Sequence, residues 1–191
     1  MRTLNVLAAL CIAGFAATIA LASGETVDLG PAKVSLNLSA AGSYTIEKGE
    51  SSELVHDYDE KISDFQYSIY PSTVTFDGTS DQVMVEVHKM SASEALDEQI
   101  PGRRAISALE HCIEQADMMP RRAEYEAKSY TIDGHEGTLL TVDTGKDEPF
   151  YIAAYSPDEK DGSGSIVCII GSDFPWETTK GILDSVKTQL A

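Results

Sequence analysis

His56, Asp57 and Asp59 fall within four positions of one another, and Asp158 and Asp161 bracket a second acidic loop, Asp158-Glu159-Lys160-Asp161-Gly162. Imidazole and carboxylates at that density could hold a divalent cation. Neither group has the ligand spacing of a closed zinc site. The second loop lacks the alternating carboxylates of a calcium loop and carries Lys160 inside it. These residues therefore predict at most weak divalent-cation binding and no dedicated cofactor. His88 and His111 stand alone, and His135 has only Glu136 beside it. Ser172 follows one apolar run and precedes another, but Ile170-Gly171-Ser172-Asp173-Phe174 lacks the second glycine of a nucleophile elbow. Ser172 or Asp173 reads more simply as a helix cap. Gly162 and Gly164 precede a strand, whereas a phosphate-cradling loop follows one. No catalytic constellation results.

Three other groups could still matter. Cys112 and Cys168 are the two cysteines beyond the leader; they could close a disulfide in an exported setting or remain two buried thiols. Arg103-Arg104 and Arg121-Arg122 bracket a helical segment, about 25 Å apart at 1.5 Å per residue. They offer either a docking surface for an acidic partner or salt bridges within an acidic surface. Asn37-Leu38-Ser39 matches the glycosylation sequon.

Charge narrows the partners. The 191 residues carry 14 basic and 31 acidic side chains, a net charge of −17, and such a field repels a phosphate backbone. Nucleic-acid binding is disfavoured on that ground, and no nucleic-acid partner is expected. Met1-Arg2-Thr3 followed by the apolar stretch Leu4–Ala22, with Ala20-Leu21-Ala22 before the first acid at Glu25, reads as a signal peptide over residues 1–23. The alternative is an N-terminal membrane anchor, since about 19 residues just suffice to span. Membrane contact is expected only if that leader stays on. Residues 24–191 then form a single domain.

The elements that must position these residues are read from periodicity. Val34, Leu36 and Leu38 alternate, as do Phe65, Tyr67 and Ile69 before Pro71 stops them, and Val83, Val85 and Val87 share one strand face. Arg103 to Met119 carries the helical stripe Ile106, Leu109, Ile113 and Ala116. Tyr125–Ile132 and Gly137–Asp143 form a hairpin about Asp133-Gly134, its loop extended by His135. Phe150–Tyr155 is a further strand, and the unbroken apolar run Ile166–Ile170 reads as a central strand covered on both faces. Pro175 starts a closing helix whose ridge is Trp176, Thr179, Leu183, Val186 and Leu190. The fold class expected is α+β, an antiparallel β-sheet covered by two main helices.

Leading hairpin, mid-chain helix, the meander YTIDGHEGTLLTVDTGKDEPFYIAAYSPD, then SIVCIIGSDFPWETTKGILDSVKTQL: over about residues 26–190 this order resembles the PsbP-like group. That group includes a photosystem accessory protein and the nuclear-import factor Mog. The resemblance implies an α/β/α sandwich that works by binding and not by catalysis, and it transfers no functional residue. The expectation is an exported, non-enzymatic binding or accessory module whose partner is a protein or cell-envelope component. Tyr58, Tyr70, Tyr151 and Tyr155 are its candidate exposed aromatics. The alternative is a cation-binding or metal-dependent enzyme using the acidic loops.

Overall fold

The computed structural model describes residues 18–19, 24–56, 65–91, 124–143, 149–158 and 165–191. They form β1 (Thr18–Ile19), β2 (Glu25–Asp28), β3 (Ala32–Leu36), β4 (Tyr44–Lys48), β5 (Ser52–His56), β6 (Phe65–Phe76), β7 (Gln82–Ser91) and β8 (Glu124–Ile132). After these come β9 (His135–Asp143), β10 (Phe150–Tyr155), β11 (Ile166–Ser172), α1 (Trp176–Ser185) and β12 (Lys187–Leu190). All ladders are antiparallel. The large sheet runs β1-β4-β6-β7-β11-β10-β9-β8, with β5 also on β6; the small one runs β12-β3-β2.

Two meanders build the large sheet, and β11 joins them by pairing β7 on one side and β10 on the other. Every residue of β11 is buried, which is why its run Ile166–Ile170 is continuously apolar where half-buried strands alternate. Along β7, Val83, Val85 and Val87 face the main core. Met84 and His88 occupy the opposite face and are also buried.

The main core lies between the large sheet and a cover made of the small sheet plus α1. Val27, Val34, Leu36 and Leu38 meet Val74, Val85, Cys168 and Ile170 there, with Ile182 and Leu183 of the helix. This corrects the expected fold class: among the described residues there is one α-helix, of ten residues, and on this face a three-stranded sheet with that helix beside it stands where a helical layer was expected. The expected helix over 103–119 lies outside the described residues. The closing helix is also shorter than its apolar spacing predicts. Val186 is extended, with φ −59° and ψ 132°, and Lys187–Leu190 pairs with β3. Leu190, expected on the buried ridge, is 42% exposed. The reason is tertiary: β3 needs an outer neighbour, and Thr188 N donates to the Asp133 carboxylate at 2.7 Å, contacts that local periodicity does not encode.

Pro71 does not stop β6. Tyr44–Lys48 pairs with Phe76–Ser72 and Ser52–His56 with Ile69–Phe65, so three residues, Gly49 to Ser51, oppose two, Tyr70 and Pro71. That is a β-bulge. Gly49 N donates to Pro71 O at 3.0 Å, so the side of Pro71 that lacks an N–H faces the bulge, where a broken ladder needs no donor. No helix among the described residues is long and apolar enough to cross a membrane.

Candidate binding surface

Asp133 (φ 53°) and Gly134 (φ 83°) both take left-handed backbone, the requirement of a two-residue type I′ turn. Ile132 therefore opposes His135, and His135 belongs to the strand, not to an extended loop. In such a hairpin the flanking pair exchanges both hydrogen bonds. Ile132, Tyr130, Lys128 and Glu126 thus turn their backbone groups inward to β9. Thr131, Ser129, Ala127 and Tyr125 turn theirs outward. β8 ends the strand order, and Ala127, Ser129 and Thr131 are exposed. The result is a regular nine-residue edge whose outward N–H and C=O groups have no ladder partner among the described residues.

Beside this edge lies an aromatic cluster. Trp176 packs against Tyr130 at 6.1 Å between ring centroids and 79° between planes, and against Tyr151 at 5.2 Å and 46°. The Lys128 ammonium sits 4.8 Å over the Trp176 ring, close enough for a cation–π attraction. Tyr130 Oη donates to Asp184 Oδ1 at 2.7 Å, and Lys180 pairs with the same carboxylate one helical turn away. Burial, then the Asp184 hydrogen bond, pushes the Tyr130 phenol up to about 12, so it is a fixed donor at neutral pH. Trp176 and Tyr130 are half-buried, each apolar on one side and wet on the other, which suits contact with a partner.

The residues singled out from the sequence are placed as follows. His56 is the last residue of β5; Asp57, Asp59 and Asp161 lie outside the described residues, as do Cys112, His111, Tyr58, Arg103, Arg104, Arg121 and Arg122. Asp158 is described, and its carboxylate is already engaged. It accepts from Ser165 N at 2.7 Å, Ser165 Oγ at 2.9 Å and Ile166 N at 3.1 Å. Those bonds tie the end of β10 to the start of β11. Asp158→Ala is expected to lower unfolding stability by roughly 1–3 kcal/mol, because it leaves part-buried donors unmet. Asp158→Asn, which keeps one acceptor, recovers part of that loss in the same urea titration. Among the described residues no three His, Cys, Asp or Glu side chains converge on one point.

Cys168 is a free thiol, fully buried. Asn37 is exposed, and its Oδ1 accepts from Ser39 N at 3.0 Å and Ser39 Oγ at 2.6 Å, a local turn inside the sequon. Tyr155, expected on the surface, is fully buried with its hydroxyl bonded to Thr188; Tyr151 is buried as well, and Tyr70 is half-buried. Neither Ser172 nor Asp173 caps α1, whose N-cap is Pro175. Ser172 Oγ instead bonds Thr179 Oγ1 at 2.8 Å, and Asp173 accepts from Gln82 N.

One pair escaped sequence reasoning. His88 Nε2 lies 2.8 Å from Glu86 Oε2, with the imidazole fully buried and its Nδ1 unpartnered. The signal was there: positions two apart on a strand share a face. Ser156 Oγ is also buried and unpartnered. Val167 pairs with His88, and the β10–β11 register extended by one residue sets Ser156 beside Val167. Two strand spacings, roughly 10 Å, therefore separate the serine and histidine strands. That spacing and the intervening Val167 leave Ser156 and His88 short of a nucleophile–base pair. Compared with protein-family models, curated proteins and solved structures, the chain matches none.

Proposed function

We propose that this chain is an exported, non-enzymatic binding module that accepts an extended segment of a protein partner as an added strand on β8. The observation that carries this reading is the outward row at Tyr125, Ala127, Ser129 and Thr131, with the half-buried Trp176–Tyr130 pair beside it. Strand addition draws affinity from main-chain bonds and specificity from neighbouring side chains. The other edges fit less well. β2 and β12 have four residues each and β1 has two, and the side of the large sheet where β4 gives way to β5 is broken by its bulge, a device that discourages pairing. The leader over residues 1–23 supports export, and the charge of −17 favours a protein or envelope partner over nucleic acid. Of the candidate ligands of the metal-dependent alternative, Asp158 already serves Ser165 and Ile166.

Ala127→Pro is the test. Its N–H points outward, so proline removes no bond to β9 and yet blocks an incoming strand. The protein captured from the native cell envelope by the unaltered chain is expected to be lost with A127P, while the urea midpoint shifts little. Retention of the same captured species by A127P would refute strand addition.

A further inference from the structure

Building on the reading of β8 as a docking edge, we infer that the strand it accepts is β8 of a second copy of this chain. The charge pattern selects one register. Glu126 and Lys128 are both exposed and lie on the same face of the strand; between them is Ala127, whose backbone groups point outward. An antiparallel pairing centred on Ala127 sets Ala127 opposite its own copy, as a pair exchanging two hydrogen bonds. Tyr125 then exchanges bonds with Ser129 of the other copy, twice by symmetry, about six backbone bonds in all. Non-bonded positions alternate with these, and there each Glu126 stands opposite the other copy's Lys128, also twice. Non-bonded pairs are the closer ones, with Cα atoms about 4.5 Å apart, so opposite charges meet at their best distance.

The neighbouring registers fail. Centring on Lys128 opposes two ammonium groups across the axis. Centring on Ser129 brings Lys128 opposite Tyr130 and leaves Glu126 without a basic partner. The two-fold axis runs normal to the sheet, so both copies present the same face and a Trp176–Tyr130 cluster flanks the axis on each side. Each interface patch meets itself, as a closed two-fold dimer requires. Repulsion between two chains of net charge −17 opposes the contact at low salt. At about 0.15 M salt the screening length is near 8 Å, which weakens the long-range repulsion more than the adjacent Glu–Lys pairs.

The test is sedimentation of the full chain over a concentration series at about 0.15 M salt, with charge-swapped variants. A reversible dimer is expected. Glu126→Lys places Lys opposite Lys in both pairs and Lys128→Glu places Glu opposite Glu, so each alone weakens the dimer about tenfold or more. An equimolar mixture of the two variants restores opposite charges in a heterodimer and recovers the affinity. Glu177→Lys, an exposed helix position with the same change of net charge, leaves the dimer intact. A chain that stays monomeric throughout, a dimer indifferent to either swap, or a mixture no tighter than its parts overturns the inference. A monomeric chain whose envelope partner is still lost on Ala127→Pro removes the second copy as occupant and leaves β8 as the docking edge. A dimer that survives Ala127→Pro, with capture likewise unaffected, removes both.

Discussion

Gly137→Ala is expected to cost the fold at least about 3 kcal/mol, a loss set by space and not by backbone conformation. Gly137 lies in β9 between two cross-strand tyrosines, Tyr130 on β8 and Tyr155 on β10. A Cβ there would stand 2.4 Å from the carbonyl oxygen of Ala154 and 2.9 Å from Tyr155 Cβ. The first contact is with backbone, so no side-chain rotation relieves it. β9 and β10 must separate, which lengthens the hydrogen bonds of a ladder spanning Phe150–Val142 to Tyr155–Gly137. It also moves Tyr155, a fully buried ring that anchors the small sheet through Thr188. Against a total stability of roughly 5–15 kcal/mol, such a loss is a large fraction. A urea titration reads it directly: the midpoint should fall steeply at an unchanged slope. A midpoint within about 0.5 kcal/mol of the unaltered protein would mean that the two strands are not packed at this distance.

The local code shows clearly where apolar residues recur on one strand face or fill both. The β7 alternation and the Asp133-Gly134 turn are plain in the sequence, as is the apolar run Ile166–Ile170 of β11, and each is found in the sheet. What sequence periodicity misses is decided by distant partners. Val186 and Leu190 continue a helical stripe, yet β3 and Asp133 draw Lys187–Leu190 into a strand. Pro71 looks like a terminator, yet β6 continues because its missing donor faces a bulge. Tyr155 looks like a surface aromatic, but the strand carries it into the covered face.

The candidate surface was legible by halves. The hairpin places β8 and turns Glu126, Lys128 and Tyr130 to one face. Nothing local says that β8 ends the sheet, because strand order depends on β11 returning to β7. His88 and Glu86 were visible as a same-face pair, whereas the burial of the imidazole follows from the position of β7 inside the sheet.

High pH should unfold this protein early, through Cys168 and Tyr155. The two are cross-strand partners on the covered face, both fully buried. Burial is the main force on each. It pushes the thiol from an ordinary 9.0 up to about 12, against a partial pull downward from the Tyr155 and Thr188 hydroxyls, with the charges of Asp158 and Asp133 adding to the rise. It also raises the Tyr155 phenol well above its usual 10.0, and a neighbouring thiolate would raise it further. The sign follows from which state releases protons. In the unfolded chain the thiol ionises near 9 and the phenol near 10, while the folded protein still holds both protons. Their contribution to stability is therefore complete below about pH 9 and is lost as pH climbs toward about 12. Each group removes roughly 1 kcal/mol per pH unit once its unfolded form ionises. Urea midpoints measured at steps from neutral to strongly alkaline pH should stay level with respect to these groups and then decline, more steeply once the phenol joins the thiol. Cys168→Ala should begin lower, from the lost packing, and decline less steeply, because only the tyrosine share remains. Equal slopes in the two proteins would mean that solvent already reaches the thiol in the native state, and then the small sheet does not seal the large one where Thr188 crosses Tyr155.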